Sequence, residues 1–212
     1  GARFTMPSAQ VAMNELSNHD HSRFLTRTNK KVGRTAFAGP RAADMGVNTA
    51  VMRQAVVMQM TWVGAPTLYY GDEAGVCGWT DPDNRRSYPW GREDNELIRF
   101  HKEMIRIHRD YQVFKTGSML YLHGENGLIV YGRFQGEEKA VIAVQTGGTQ
   151  REIQVDVWRL GLKDGEKIAS MMATDQQGFS LEARVLTVKD GKVSISVGEN
   201  GAVLYKSIRN LI

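Results

Sequence analysis

Cysteine is almost missing from this 212-residue chain: Cys77 stands alone, which excludes an internal disulfide, and no Cys/His spacing suggests a zinc site. Long apolar runs are missing as well. The longest, around Val56-Val57-Met58 and Leu68-Tyr69-Tyr70, fall far short of a bilayer span, so no membrane contact is expected. The 27 basic and 23 acidic residues are spread along the sequence, without the Lys/Arg blocks or aromatic-basic interleaving of a nucleic-acid surface. The net charge of +4 therefore reads as a solvated exterior. Residues Gly1 to Met6 lack the apolar core of a secretory signal, and the cytoplasm is the default expectation for location. Internal repeats and low-complexity segments are absent.

What is present is an ordinary globular composition, 42% hydrophobic, enough for one large or two smaller cores. Residues 1–111 read as alternating strand and helix. An apolar run at Val11, Ala12, Met13 and Leu16 predicts a buried strand near 11–17. A helix follows from about Asp44, its predicted N-cap, to Val63, with Val47, Val51, Ala55, Met58 and Trp62 on one face. Pro66 and Leu68-Tyr69-Tyr70 predict a second strand, and Leu97, Ile98, His101, Met104, Ile105 and His108 the stripe of a second amphipathic helix. Residues 112–212 read as strands: Met119 to Tyr121, Leu128 to Tyr131, Ala140 to Val144, Ile153 to Val155, Val185 to Val188, Val193 to Val197, and Val203 to Tyr205. Asp190-Gly191 predicts a hairpin between two of these runs. The boundary is expected between Tyr111 and Gly117. Strand-helix alternation suits a parallel sheet under helices, and by itself it fits an open sheet as well as a barrel.

Chemistry concentrates in Leu16-Ser17-Asn18-His19-Asp20, where a strand gives way to a loop. A carboxylate beside an imidazole and an amide suits neighbouring hydroxyls of a sugar ring, although His-Asp pairs also cap helices and occupy ordinary surface loops. A second segment, Gly64-Ala65-Pro66-Thr67-Leu68-Tyr69-Tyr70-Gly71-Asp72-Glu73, is followed by Asp81-Pro82-Asp83-Asn84-Arg85-Arg86 and Pro89-Trp90. Together these segments resemble the α-amylase family, glycoside hydrolase family 13. The last run is similar to the cyclomaltodextrinase, neopullulanase and maltogenic amylase branch. The resemblance implies that residues 1–111 are the C-terminal part of a (β/α)8 TIM barrel, with strands 7 and 8, and that residues 112–212 are an antiparallel β-sandwich domain.

The resemblance also implies roles. Retaining glycosidases work with a nucleophile and an acid/base about 5 Å apart, and this family adds a third carboxylate. Asp20 matches that third position and His19 the imidazole beside it, with Asn18 positioning the pair. Asp81 and Arg85, with Arg86 as an alternative, match residues that hold glucose units on the non-reducing side of the cut. Arg23 is expected to contact sugar, to brace Asp20, or to form a structural salt bridge. Trp79 and Trp90 are candidates for stacking on a pyranose, with buried packing preferred for Trp90.

The departure from the family matters most. No Gly-x-Arg-x-Asp strand and no strand-end Glu is found, and Gly91-Arg92-Glu93-Asp94 lies after the eighth strand. Both missing carboxylates are expected upstream of residue 1, so the chain reads as the C-terminal part of an α-glucan hydrolase, inactive alone. The other reading is a non-catalytic carbohydrate-binding or scaffold relative. Expected partners are α-glucan oligosaccharides or cyclodextrins and, when strand edges are exposed, further copies of the chain. No cofactor and no metal are expected in these residues; the resemblance leaves room for calcium in upstream loops.

Overall fold

Strands β1 (Met13–Glu15) and β2 (Ala65–Thr67) lie side by side and parallel, with Met13 opposite Ala65 and Glu15 opposite Thr67. A tight turn cannot join parallel strands. The crossover between them passes through the short helices α2 (Phe24–Arg27) and α3 (Thr35–Ala38), and its main element is α4 (Thr49–Thr61); a further short helix, α1 (Met6–Gln10), lies ahead of β1. This computed structural model describes residues 5–208; the Gly1 to Phe4 portion of the N-terminus lies outside them. Among the described residues no helix is long and apolar enough to cross a membrane.

Several local expectations are corrected. The N-cap of α4 is Asn48, whose side-chain oxygen accepts from the backbone N–H groups of Ala50 and Val51. Asp44 instead ends a 3-10 turn, because Gly46, at φ +70°, breaks the chain between the two. The face of α4 in the core carries Met52, Val56, Val57 and Met60. The predicted stripe of Val51, Ala55, Met58 and Trp62 is only half-buried and lines an open groove of about 530 Å³ with Met13 and Leu16. The strand predicted as buried is exposed at Met13 because, among the described residues, β1 pairs with β2 alone. The second strand is Ala65–Thr67, and Leu68 to Tyr70 lie beyond it.

Helix α5 (Asn95–Asp110) buries Leu97, His101 and Met104 as expected. Phe100 and Ile107, rather than Ile98 and Ile105, complete its inner face. After α6 (Gln112–Lys115) the chain becomes β-structure from Ser118. A seven-stranded antiparallel sheet holds β3 (Ser118–Glu125), β4 (Leu128–Gln135), β5 (Glu138–Gln145), β11 (Ala202–Ile208), β7 (Lys167–Thr174) and β8 (Phe179–Ser180) in that order, with β9 (Val185–Thr187) also on β7. Strands β6 (Arg151–Asp156) and β10 (Lys192–Val197) form a second, two-stranded sheet.

Asp190 and Gly191 both adopt positive φ, as a type I′ turn requires. The expected hairpin is nevertheless a single bridge, Lys189 to Lys192, because β9 stays on the large sheet while β10 crosses to the small one.

Two cores result. Val130, Val141, Ile195 and Val203 belong to the one between the sheets. The other joins α4 and α5 to the opposite face of the large sheet, through Met52, Phe100, Met104, Tyr131, Ile142 and Leu204. Arg133 on β4 pins the layers together. It is fully buried, and its guanidinium donates to backbone carbonyls of Thr61 at the end of α4, of Phe114 in α6, and of Gly117 at 2.7 Å. Carbonyls at helix C-termini carry partial negative charge and are otherwise unpaired. Burial, with no carboxylate partner among the described residues, pushes the Arg133 pKa down to about 10.

Candidate functional site

Because β1 and β2 are parallel, the loops after Glu15 and after Thr67 leave from the same end of the pair. The first loop is shaped by Asn18. Its Oδ1 accepts from the backbone N–H groups of Asp20 at 3.0 Å and His21 at 3.1 Å, and its Nδ2 donates to Glu15 at 2.7 Å. Asn18 thereby builds the turn that presents its neighbours, and one of the two N–H groups of its amide stays free of protein partners among the described residues. His19 and Asp20 project outward, their side chains 62% and 68% exposed, with Nε2 3.5 Å from Oδ1.

The second loop carries Asp81 and Arg85. The Arg85 guanidinium donates to the Asp81 carboxylate, and both side chains are about half exposed. That bond is the chief cause raising the Arg85 pKa, and the Asp20 carboxylate acts on the same guanidinium through space. Four of the expected site residues, His19, Asp20, Asp81 and Arg85, thus share one open, polar face. They offer anionic and cationic hydrogen-bonding groups to a hydroxyl-rich ligand. Among the described residues no cluster of three or more potential metal ligands occurs.

Arg23 is elsewhere. It is fully buried, donating to Asp72 at 3.0 Å and to the carbonyls of Tyr70 at 2.6 Å and Asn84 at 2.7 Å, with its guanidinium 4.0 Å from the Tyr69 ring centroid. Of its three readings the structure takes the salt bridge, with Asp72 as partner. Contact with sugar and bracing of Asp20 are both corrected, since no part of the side chain reaches solvent. Burial raises the Asp72 pKa, and bonds from Ser17 and Arg23 pull it back. Arg86 is likewise committed, to Asp44 at 2.7 Å and Asp83 at 2.9 Å, which removes it as the alternative to Arg85.

The two tryptophans exchange their expected places. Trp79 is 3% exposed and donates through Nε1 to the Gly39 carbonyl, so it cannot stack on a ligand. Trp90, expected to be packed inside, is 80% exposed, with its ring 4.5 Å from that of Tyr88.

Sequence reasoning missed Asn84, the centre of the assembly. It is fully buried, and its side-chain amide donates to the backbone carbonyls of Asn18 at 3.2 Å and His21 at 2.7 Å. The loop after β2 thereby clamps the loop that carries His19 and Asp20. Asn84 occupies a variable position of Asp-Pro-x-x-Arg, and nothing in the linear pattern singles it out.

Comparison with known proteins gives a consistent picture. The alpha-amylase catalytic domain family matches residues 3–197. An amylopullulanase from Thermoanaerobacter thermohydrosulfuricus is 33% identical over 95% of this chain and 14% of its own length. A cyclomaltodextrinase from Thermoanaerobacter pseudethanolicus is 32% identical over 68% of this chain and 22% of its own. The chain therefore spans only a minor part of these curated relatives. Among solved structures, an Anoxybacillus α-amylase superposes with a TM-score of 0.75 at 23% identity, over 96% of this chain and 39% of the other, a likeness of fold. With the catalytic-domain family matching residues 3–197 of this chain, and one-third identity to an amylopullulanase, the chain belongs to the α-amylase family, glycoside hydrolase family 13.

Proposed function

We propose that this chain forms part of the active site of a retaining α-glucan hydrolase acting on α-1,4 or α-1,6 glucosidic bonds of oligosaccharides or cyclodextrins. In this reading β1 and β2 are strands 7 and 8 of a (β/α)8 barrel, and their outgoing loops lie at the end where such barrels do chemistry. Asp20 and His19 hold the hydroxyls of the sugar at the cut. The Asp20 carboxylate strengthens its grip as the ring flattens toward an oxocarbenium ion, which is stabilisation made chiefly in the transition state. Asp81 and Arg85 hold the next sugar on the non-reducing side. The nucleophile and the acid/base are contributed by polypeptide outside these residues, so the chain alone orients sugar without cleaving it.

The supporting observation is the convergence of two exposed pairs, His19 with Asp20 and Asp81 with Arg85, on one end of two parallel strands. The test is turnover of maltooligosaccharides and cyclodextrins by a polypeptide that includes these residues. Asp20→Asn is expected to lower kcat/KM about a hundredfold or more without changing stability, and undiminished turnover would overturn the assignment. Residues 1–212 alone are expected to give no turnover; hydrolysis abolished there by Asp20→Asn would overturn the incomplete-site reading.

A further inference from the structure

The path of the main chain through the turn at His19 and Asp20 is fixed from outside the turn. Arg27 donates to the Leu16 carbonyl, the Phe24 N–H donates to the Ser17 hydroxyl at 2.9 Å, and Asn84 holds the carbonyls of Asn18 and His21. The side chain of Asn18 is governed by a different group, Glu15, the last residue of β1. Leu16 packs on the helical core and Asn14 donates to the Val63 carbonyl at 3.2 Å, so strand alternation turns Glu15, like Met13, to the face of β1 and β2 away from α4. Glu15 is exposed there, and among the described residues its carboxylate is hydrogen-bonded to Asn18 alone, accepting from Nδ2 at 2.7 Å.

A side-chain amide turned end for end fills nearly the same space with donor and acceptor exchanged. A carboxylate only accepts. It therefore draws the NH2 end of Asn18 toward β1 and leaves Oδ1 facing the N–H groups of Asp20 and His21. The reversed amide would set its carbonyl against the carboxylate and its donors against two backbone donors. Bonds to a charged acceptor are about twice as strong as neutral ones, so the strand end is a firm anchor for the amide.

We propose that Glu15 is a positioning residue of the site: through Asn18 it sets the direction in which the Asp20 carboxylate and the His19 imidazole leave the turn. On the barrel reading, the face of β1 and β2 away from α4 is the inside of the barrel, which puts this carboxylate at the floor of the active site. That the positioned pair grips sugar rests on the proposed function; control of the turn by Glu15 does not.

Two variants test the proposal, Glu15→Ala, which removes the acceptor, and Glu15→Gln, whose side-chain carbonyl can still accept from Asn18. In residues 1–212, Glu15→Ala should shift the Asn18 side-chain amide resonances and speed exchange at the Asp20 and His21 amides about tenfold. The urea midpoint should stay unchanged, because Glu15 is exposed. In an active polypeptide containing these residues, Glu15→Ala should lower kcat about tenfold with a smaller change in KM, since the grip of Asp20 grows in the transition state. Glu15→Gln should restore most of both losses. Unchanged exchange at Asp20 and His21 in Glu15→Ala, or equal losses in the two variants, would overturn the inference. If Asp20→Asn is silent in turnover while Glu15→Ala still loosens the turn, the proposed function fails and the anchor stands.

Discussion

The side-chain amide of Asn84 donates to the backbone carbonyl of His21 at 2.7 Å, across more than sixty residues of sequence. This bond and its companion to Asn18 fix the turn that carries His19 and Asp20, so the orientation of the exposed pair is set from the loop after β2. Asn84→Ala should therefore cost about 1–3 kcal/mol in urea unfolding and speed amide exchange at residues 18–21. In an active polypeptide containing these residues it should lower kcat more than it raises KM. Unchanged exchange at those amides would show that the turn holds itself.

Arg23 and Asp72 form a buried pair whose members stabilise each other only together. Removing one partner leaves an uncompensated charge in the interior, and such losses are about 3–5 kcal/mol. Arg23→Met and Asp72→Asn should each destabilise the chain strongly, and the double variant should cost clearly less than the sum. Additive losses in a double-mutant cycle would mean the two side chains act independently.

Two histidines make stability depend on pH. His101 is 2% exposed and bonded to the Leu97 carbonyl, and His108 is bonded to the Met60 carbonyl. Burial lowers both pKa values below the ordinary 6.5. Above 6.5 folded and unfolded chains are neutral at these rings. As pH falls through 6.5 the unfolded chain takes up protons first, so stability declines until the lowered native pKa is reached. His101 contributes up to about 1.4 kcal/mol per pH unit in that window. The urea midpoint, followed from neutral to about pH 5, should fall less steeply in His101→Gln than in the unaltered chain.

The exchanged tryptophans can be separated by accessibility. Iodide should quench Trp90 fluorescence and leave that of Trp79 nearly untouched. Trp79→Ala should cost about 3–5 kcal/mol, since its ring fills the space against Gly33, where even a Cβ would approach within 2.8 Å. Trp90→Ala should stay within about 0.5 kcal/mol. Comparable losses for the two would contradict the structure.

Much of this was legible in residue order. The seven apolar runs after residue 112 each contribute to a strand, because alternation in a half-covered sheet leaves a period of two in the sequence. Strand β7 went unread because its inward positions include Ser170 and Thr174 beside Ile168 and Met172, which mutes the hydrophobic alternation. Helix α4 misled for the opposite reason: apolar residues line two faces, and periodicity alone does not say which face meets the sheet. His19, Asp20, Asp81 and Arg85 were found because local motifs carry them. The partners of Arg23 and Arg86, and the clamp at Asn84, were not, since each joins segments far apart in sequence whose meeting only the folded chain defines.

Arg133 has a consequence for how the molecule comes apart. Three carbonyls of the helical half converge on one guanidinium of the β-half, so separating the halves strands a cation in an apolar interface. Severing the backbone between Asp110 and Ser118 would accordingly yield neither half as an autonomous folding unit. Melting should be a single event in which helices and sheet are lost at one temperature.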